Sequence, residues 1–121
     1  MIITKEYLRS HTNEIFVFGD NDARFGKKGA AELRDEPNTY GFVTKKYPSN
    51  DNGSFYIPED YGPKLNAEIR ALSHQIRTFP EKTFLISELG GGLANKFGIR
   101  PMIVKALEES GITEMKNVRM L

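Results

Sequence analysis

The chain has 121 residues, 39% of them apolar and 27% charged, with no cysteine and a formal net charge of +1. That length suits one domain, 1–121, with a core of its own, and the balance is that of a soluble rather than a disordered chain. The near-neutral charge speaks against a broad nucleic-acid-binding face, though it leaves a local basic pocket open. Without cysteine there are no disulfides, thiolate zinc sites or thiol nucleophiles, which fits a cytoplasmic location. The N-terminal stretch through Lys5 and Glu6 is charged where a signal peptide is apolar, and no apolar run reaches membrane-spanning length.

Taken in order, Thr4 suits the N-cap of a short helix from Lys5 to about His11, with Tyr7 and Leu8 inward. Glu14 to Phe18 reads as a strand whose unbroken apolar run calls for cover on both faces. A second helix is expected from Lys28 to about Glu36, stopped by Pro37. Tyr40 to Lys45 reads as a strand. A long turn-rich segment, 46–63, follows, holding a short strand at Ser54 to Ile57. Pro63 suits the first position of a helix whose apolar stripe is Leu65, Ile69, Leu72 and Ile76. A strand from Thr83 to Ser87, a helix from Pro101 to Gly111 with Ile103, Val104 and Leu107 inward, and a strand from Lys116 to Met120 complete the order. This alternation predicts an α/β three-layer sandwich, a mostly parallel or mixed sheet with helices on both faces.

In such a sheet, ligands bind beyond the carboxyl ends of the strands, where two glycine-rich loops fall. The first runs from the strand ending at Phe18 through Gly19, Asp20, Asn21, Gly26 and Gly29 to Ala30 and Ala31. Its glycines let backbone approach a ligand, the Asp and Asn offer hydrogen bonds to ribose or base, and Lys27 and Lys28 suit phosphate. A plain solvated turn is the alternative. The second loop is Ser87-Glu88-Leu89-Gly90-Gly91-Gly92-Leu93-Ala94. Three consecutive glycines exceed what a simple turn needs and suit backbone N–H groups laid against a diphosphate, the alternative being a flexible link. The spacings of the dinucleotide fingerprint and of the Gly-Lys-Ser/Thr phosphate loop are absent, which argues against a nicotinamide oxidoreductase or an ATPase.

These motifs, with Gly41-Phe42-Val43-Thr44-Lys45-Lys46 between them, resemble the small macro-domain-like proteins common in bacteriophages and bacteria. The family pattern is Phe-Gly-Ser/Asp-Asn, Gly-x-Gly-Ala-Ala, Ile-Pro-Thr-Lys and Thr-x-Ile-Gly-Cys-Gly-Leu-Ala-Gly. The resemblance covers most of residues 14–98, in the same order. It departs at Val43, Gly91 and Asn95, where the pattern has Pro, Cys and Gly.

The resemblance implies a macro-like fold that binds ADP-ribose or a cyclic ADP-ribose signal between the two loops, without a cofactor. It implies Asp20 and Asn21 at the ribose, and Gly29, Ala30, Gly90, Gly91, Gly92 and Leu93 around the diphosphate, with Gly19, Thr44 and Ser87 completing the ligand-binding set. A phage-type protein of this kind would sequester an immune nucleotide signal in the host cytoplasm. Two alternatives stand beside this reading. One is a hydrolase acting on ADP-ribosylated protein, nucleic acid or a phosphate ester, with Asn21 and Lys45 catalytic. The other is a non-catalytic protein-interaction module. Strand alternation turns one of Ser87 and Glu88 towards the site, and Phe25, Tyr56, Tyr61 or Phe97 is available to stack on a base or to fill the core. His11 and His74 read as structural, too far apart in sequence to suggest a metal site. Oligomeric state is left open.

Overall fold

A computed structural model describes residues 2–121. Four strands, β1 (Glu14–Asn21), β2 (Thr39–Lys45), β3 (Thr83–Ile86) and β4 (Val118–Met120), form one sheet in the order β2-β1-β3-β4. Every pairing is parallel. The helices are α1 (Lys5–Ser10), α2 (Pro58–Thr78) and α3 (Arg100–Glu109).

The layers follow from strand alternation. Ile15 and Val17 of β1, with Phe84 and Ile86 of β3, point to the main core, which α2 and α3 close with Leu65, Ile69, Leu72, Ile76, Ile103 and Leu107. The intervening Phe16 and Leu85 point the other way, to a smaller cluster with Ile3 and Leu8 around α1 and Leu33 around the 28–36 segment. The protein is an α/β sandwich with cover on both faces of a parallel sheet. No helix among the described residues is long and apolar enough to cross a membrane.

Four elements depart most from the sequence expectation. β1 runs on to Asn21, carried by pairing with β2 as far as Lys45 across an irregularity between Asp20 and Asn21. The helix expected over residues 28–36 is instead a 3-10 turn, Gly29–Ala31, followed by further turns. Gly29 holds a left-handed φ of 59°, incompatible with an α-helix there. α2 starts at Pro58, five residues before Pro63. Asp60 Oδ1 accepts the Ile57 N–H at 3.1 Å, and the acidic pair Glu59 and Asp60 suits the positive end of the helix. Pro63 therefore lies inside the helix and forgoes one backbone bond. The short strand expected at Ser54 to Ile57 reduces to one antiparallel bridge between Phe55 and Lys45.

As the outermost strand, β2 has a free edge, and α2 covers it with side chains. Glu68 accepts the Val43 N–H at 2.6 Å, and the Tyr61 hydroxyl donates to the Val43 carbonyl at 2.6 Å. Two side chains stand where a fifth strand's backbone would.

Candidate functional site

The carboxyl ends of β1 and β2 form the floor of a cleft of about 740 Å³. Gly19, Asp20 and Asn21 contribute from β1, and Thr44 and Lys45 from β2. The walls are the 25–31 turn, Pro48 with Asn50, and Gly91 to Ala94. Phe25 and Leu93, 59% and 67% exposed, give the cleft apolar sides.

Asp20 is 3% exposed, and its carboxylate is fully engaged by its own neighbours. Arg34 grips both oxygens, with Nη1 3.0 Å from Oδ2 and Nη2 on Oδ1. Arg24 Nη1 lies 3.3 Å from Oδ2, and the Asn21 N–H donates to Oδ1 at 2.8 Å. The same Arg34 holds the wall: its Nε donates to the Gly26 carbonyl at 2.9 Å and its Nη2 to the Phe25 carbonyl at 3.3 Å. Arg24 adopts a left-handed φ of 61° and donates to the Gly41 carbonyl at 2.8 Å, with Glu68 at 3.5 Å. One buried carboxylate thus organises two arginines, which fix the turn between β1 and Gly29.

Asn21 is 5% exposed and its Nδ2 donates to the Phe25 carbonyl at 2.8 Å. That bond fixes the orientation of the amide, because the reverse would set two oxygens together. The other end, Oδ1, is the one buried side-chain nitrogen or oxygen without a hydrogen-bond partner among the described residues. A buried acceptor left unpaired costs about 1–3 kcal/mol, and it belongs to a residue that lines the cleft.

Lys45 sets its ammonium 4.8 Å from the centroid of the Phe55 ring, and burial lowers its pKa. Lys28 is exposed on the wall formed by the 25–31 turn. Among the described residues no three His, Cys, Asp or Glu side chains converge as a metal site.

Residues 1–110 match a protein family described as a family of unknown function (DUF7831). The chain belongs to the DUF7831 family. No curated protein and no solved structure matches it. The DUF7831 match takes in every residue of the cleft and of the Asp20 network, while β4 lies beyond it.

Of the residues expected at the site, Gly19, Asp20, Asn21, Gly29, Ala30, Thr44, Lys45, Gly91, Gly92 and Leu93 line this one cleft. Ser87 and Gly90 do not. Ser87 closes the strand end, its N–H bonded to the Val17 carbonyl at 3.1 Å. Gly90 turns the chain with φ 75° against α3, where a Cβ would come within 2.5 Å of Ile103 Cδ1. Glu88 is exposed and packs beside Gly91, so neither member of the Ser87–Glu88 pair faces the cleft. Asp20 lines the cleft, but its oxygens serve Arg34, Arg24 and Asn21 rather than a ribose. Of the aromatic candidates only Phe25 borders the cleft; Tyr56 and Tyr61 belong to the main core, and Phe97 packs edge-on to Phe55. His11 stacks on Tyr7 at 3.9 Å, and His74 is exposed on α2.

Arg34, Arg24 and Glu68 escaped the sequence reading. One signal pointed to the arginines: an aspartate continuing an apolar strand needs a buried cation, and the first two arginines after it are Arg24 and Arg34.

Proposed function

We propose that this DUF7831 protein binds an ADP-ribose-type nucleotide, ADP-ribose itself or a cyclic ADP-ribose signal, in the cleft between its two glycine turns. The observation that carries the reading is that the two glycine turns and the ends of β1 and β2 line one cleft, Gly19, Asp20, Asn21, Gly29, Ala30, Thr44, Lys45 and Gly91 to Leu93 together. Other features support it. The volume lies within the range of small-molecule sites. Gly29 and Gly92, both at positive φ, open the two short turns whose leading N–H groups suit a diphosphate. Lys28 on the 25–31 wall and Lys45 on the floor bring positive charge, and Phe25 and Leu93 offer apolar surface to a base or sugar face.

The cleft lining includes a single carboxylate, Asp20, and two arginines hold it. A hydrolase of this kind draws on a free acid or base to activate water, so the arrangement favours capture of an intact ligand over its turnover. A sequestering role in a phage-infected cytoplasm is the biological setting that the family resemblance suggests.

Isothermal titration with ADP-ribose and with cyclic ADP-ribose tests the reading. The expected result is saturable heat at one ligand per chain, a raised melting temperature, and recovery of the ligand unchanged after heating the complex. Lys28→Glu, at an exposed position, weakens the binding. Absence of both heat and thermal shift with either nucleotide overturns the proposal.

A further inference from the structure

Beside the floor of the cleft, two lysines from separate segments converge on one aromatic ring. Lys45 closes β2 and lines the cleft, its Nζ 4.8 Å from the Phe55 centroid. Lys96 follows the second glycine turn, its Nζ 5.5 Å from the same ring and 5.8 Å from that of Phe97. Phe55 is buried, joined to Lys45 by the antiparallel bridge and to Phe97 by an edge-on contact with centroids 6.3 Å apart. The ring is therefore a fixed point, and both ammonium groups are drawn to it by attraction to its face.

This arrangement has a cost that an isolated lysine avoids. Two positive charges sharing one ring sit within about one Debye length of each other, roughly 10 Å at 0.1 M salt, so they repel with little screening. Neither has a carboxylate within ion-pair distance among the described residues, whereas the neighbouring Lys46 and Lys64 are paired with Asp60 and Asp22. The polar contact made by Lys96 is to Asn52 Oδ1 at 2.6 Å, a neutral acceptor. The lowered pKa of Lys45 fits an ammonium held away from water without a compensating charge.

We propose that Lys45 and Lys96, gathered on Phe55, form a subsite for a compact oxyanion of phosphate type at the edge of the cleft. The two ammonium groups supply the charge, and Asn52, whose Oδ1 accepts from Lys96, has its Nδ2 to donate to the anion. Because Lys45 also lines the cleft, the subsite is open to an anionic group on a ligand lying there as well as to free phosphate. The proposal rests on the nucleotide-binding reading only for that first source.

Side-chain NMR of the lysine Nζ groups, with inorganic phosphate titrated at constant ionic strength against sodium chloride, reads the subsite directly. The expected result is saturable shifts of Lys45 and Lys96 with phosphate and none with chloride. Lys96→Gln, an exposed change that leaves the backbone spectrum in place, abolishes the Lys45 response, and Lys45→Gln abolishes that of Lys96. Shifts that grow without saturation, or that match those in chloride, mark an adventitious ion only and overturn the proposal. So does a Lys45 response that survives Lys96→Gln.

A parallel titration with ADP-ribose separates the two readings. Phosphate binding without ADP-ribose binding keeps the subsite and rejects the nucleotide. ADP-ribose binding without a lysine response to phosphate does the reverse. If phosphate still saturates the lysines when ADP-ribose fills the cleft, the anion source is free phosphate or a group lying beyond the diphosphate. Competition between them assigns the subsite to the diphosphate itself.

Discussion

Arg34 meets Asp20 with both terminal nitrogens of its guanidinium, across 14 residues of sequence, and with the same group holds the carbonyls of Phe25 and Gly26. The pair joins the end of a buried strand to the wall of the cleft. Arg34→Ala leaves the Asp20 carboxylate buried with only Arg24 and the Asn21 N–H. Loss of one partner of a buried pair typically costs about 3–5 kcal/mol. We expect urea unfolding to show a loss near the lower end of that range, because Arg24 remains. Asp20→Asn combined with Arg34→Met should recover part of it, which a double-mutant cycle measures.

The free edge of β2 supplies a second expectation. Glu68→Leu strips the Val43 N–H of its acceptor and should destabilise by about 1–3 kcal/mol, the range for a buried donor left unpaired. Tyr61→Phe removes one neutral hydrogen bond and should cost about 1 kcal/mol. Together the two changes expose an unpaired strand edge, so size-exclusion chromatography should show concentration-dependent association absent from either parent.

The glycines of the second turn divide by role. Gly90→Ala places a methyl group against Ile103 in a left-handed backbone and should destabilise by about 2–4 kcal/mol, from the overpacking and backbone penalties combined. Gly92→Ala meets nothing within 4 Å and carries the backbone penalty alone, about 1–2 kcal/mol. Thermal melts of the two variants should rank in that order. Only Gly92→Ala should also weaken nucleotide binding out of proportion to its stability loss, since of the two only Gly92 borders the cleft.

Alkaline pH gives a fourth expectation. Burial pushes the Tyr56 phenol up to about 12, helped by Asp22, Asp60 and Glu68, and burial raises the Tyr61 phenol further. A phenol whose pKa is higher folded than unfolded favours the folded state fully below about pH 10, the unfolded value. That contribution falls as pH rises from about 10 through the folded value. Stability measured by denaturant should therefore decline from about pH 10 upward, and Tyr56→Phe should flatten the decline. Absorbance at the phenolate band should show a component near pH 12 that disappears in the same variant.

Much of this fold is legible because its signals are local. The unbroken run Ile15 to Phe18 announces a strand covered on both faces, and the Leu65, Ile69, Leu72, Ile76 stripe announces α2. The cleft is legible for the same reason: two strand ends followed by glycines converge by topology alone. What local pattern conceals is pairing at a distance. The 28–36 segment looks helical until Arg34 is drawn inward to Asp20 and Gly29 takes its left-handed turn. The start of α2 hides behind Pro63, the more conspicuous proline, while Pro58 and Asp60 set the first turn. Gly90 looks like its two neighbours in sequence and differs only through Ile103, 13 positions away.

The strand order β2-β1-β3-β4 has one more consequence, for the chain's own fluctuations. β1 is paired with β2 from Phe16 to Asn21 and with β3 from Glu14 to Val17, so its middle is held on both sides and no partial opening frees those amides without parting the sheet. β4 is bonded on one side only and is largely exposed. Amide protons of Phe16 and Val17 should therefore exchange with solvent deuterium only through complete unfolding, and those of Arg119 and Met120 through fraying of the edge. The middle of β1, just beneath the cleft, should be among the slowest parts of the molecule to open, and the glycine walls above it among the fastest.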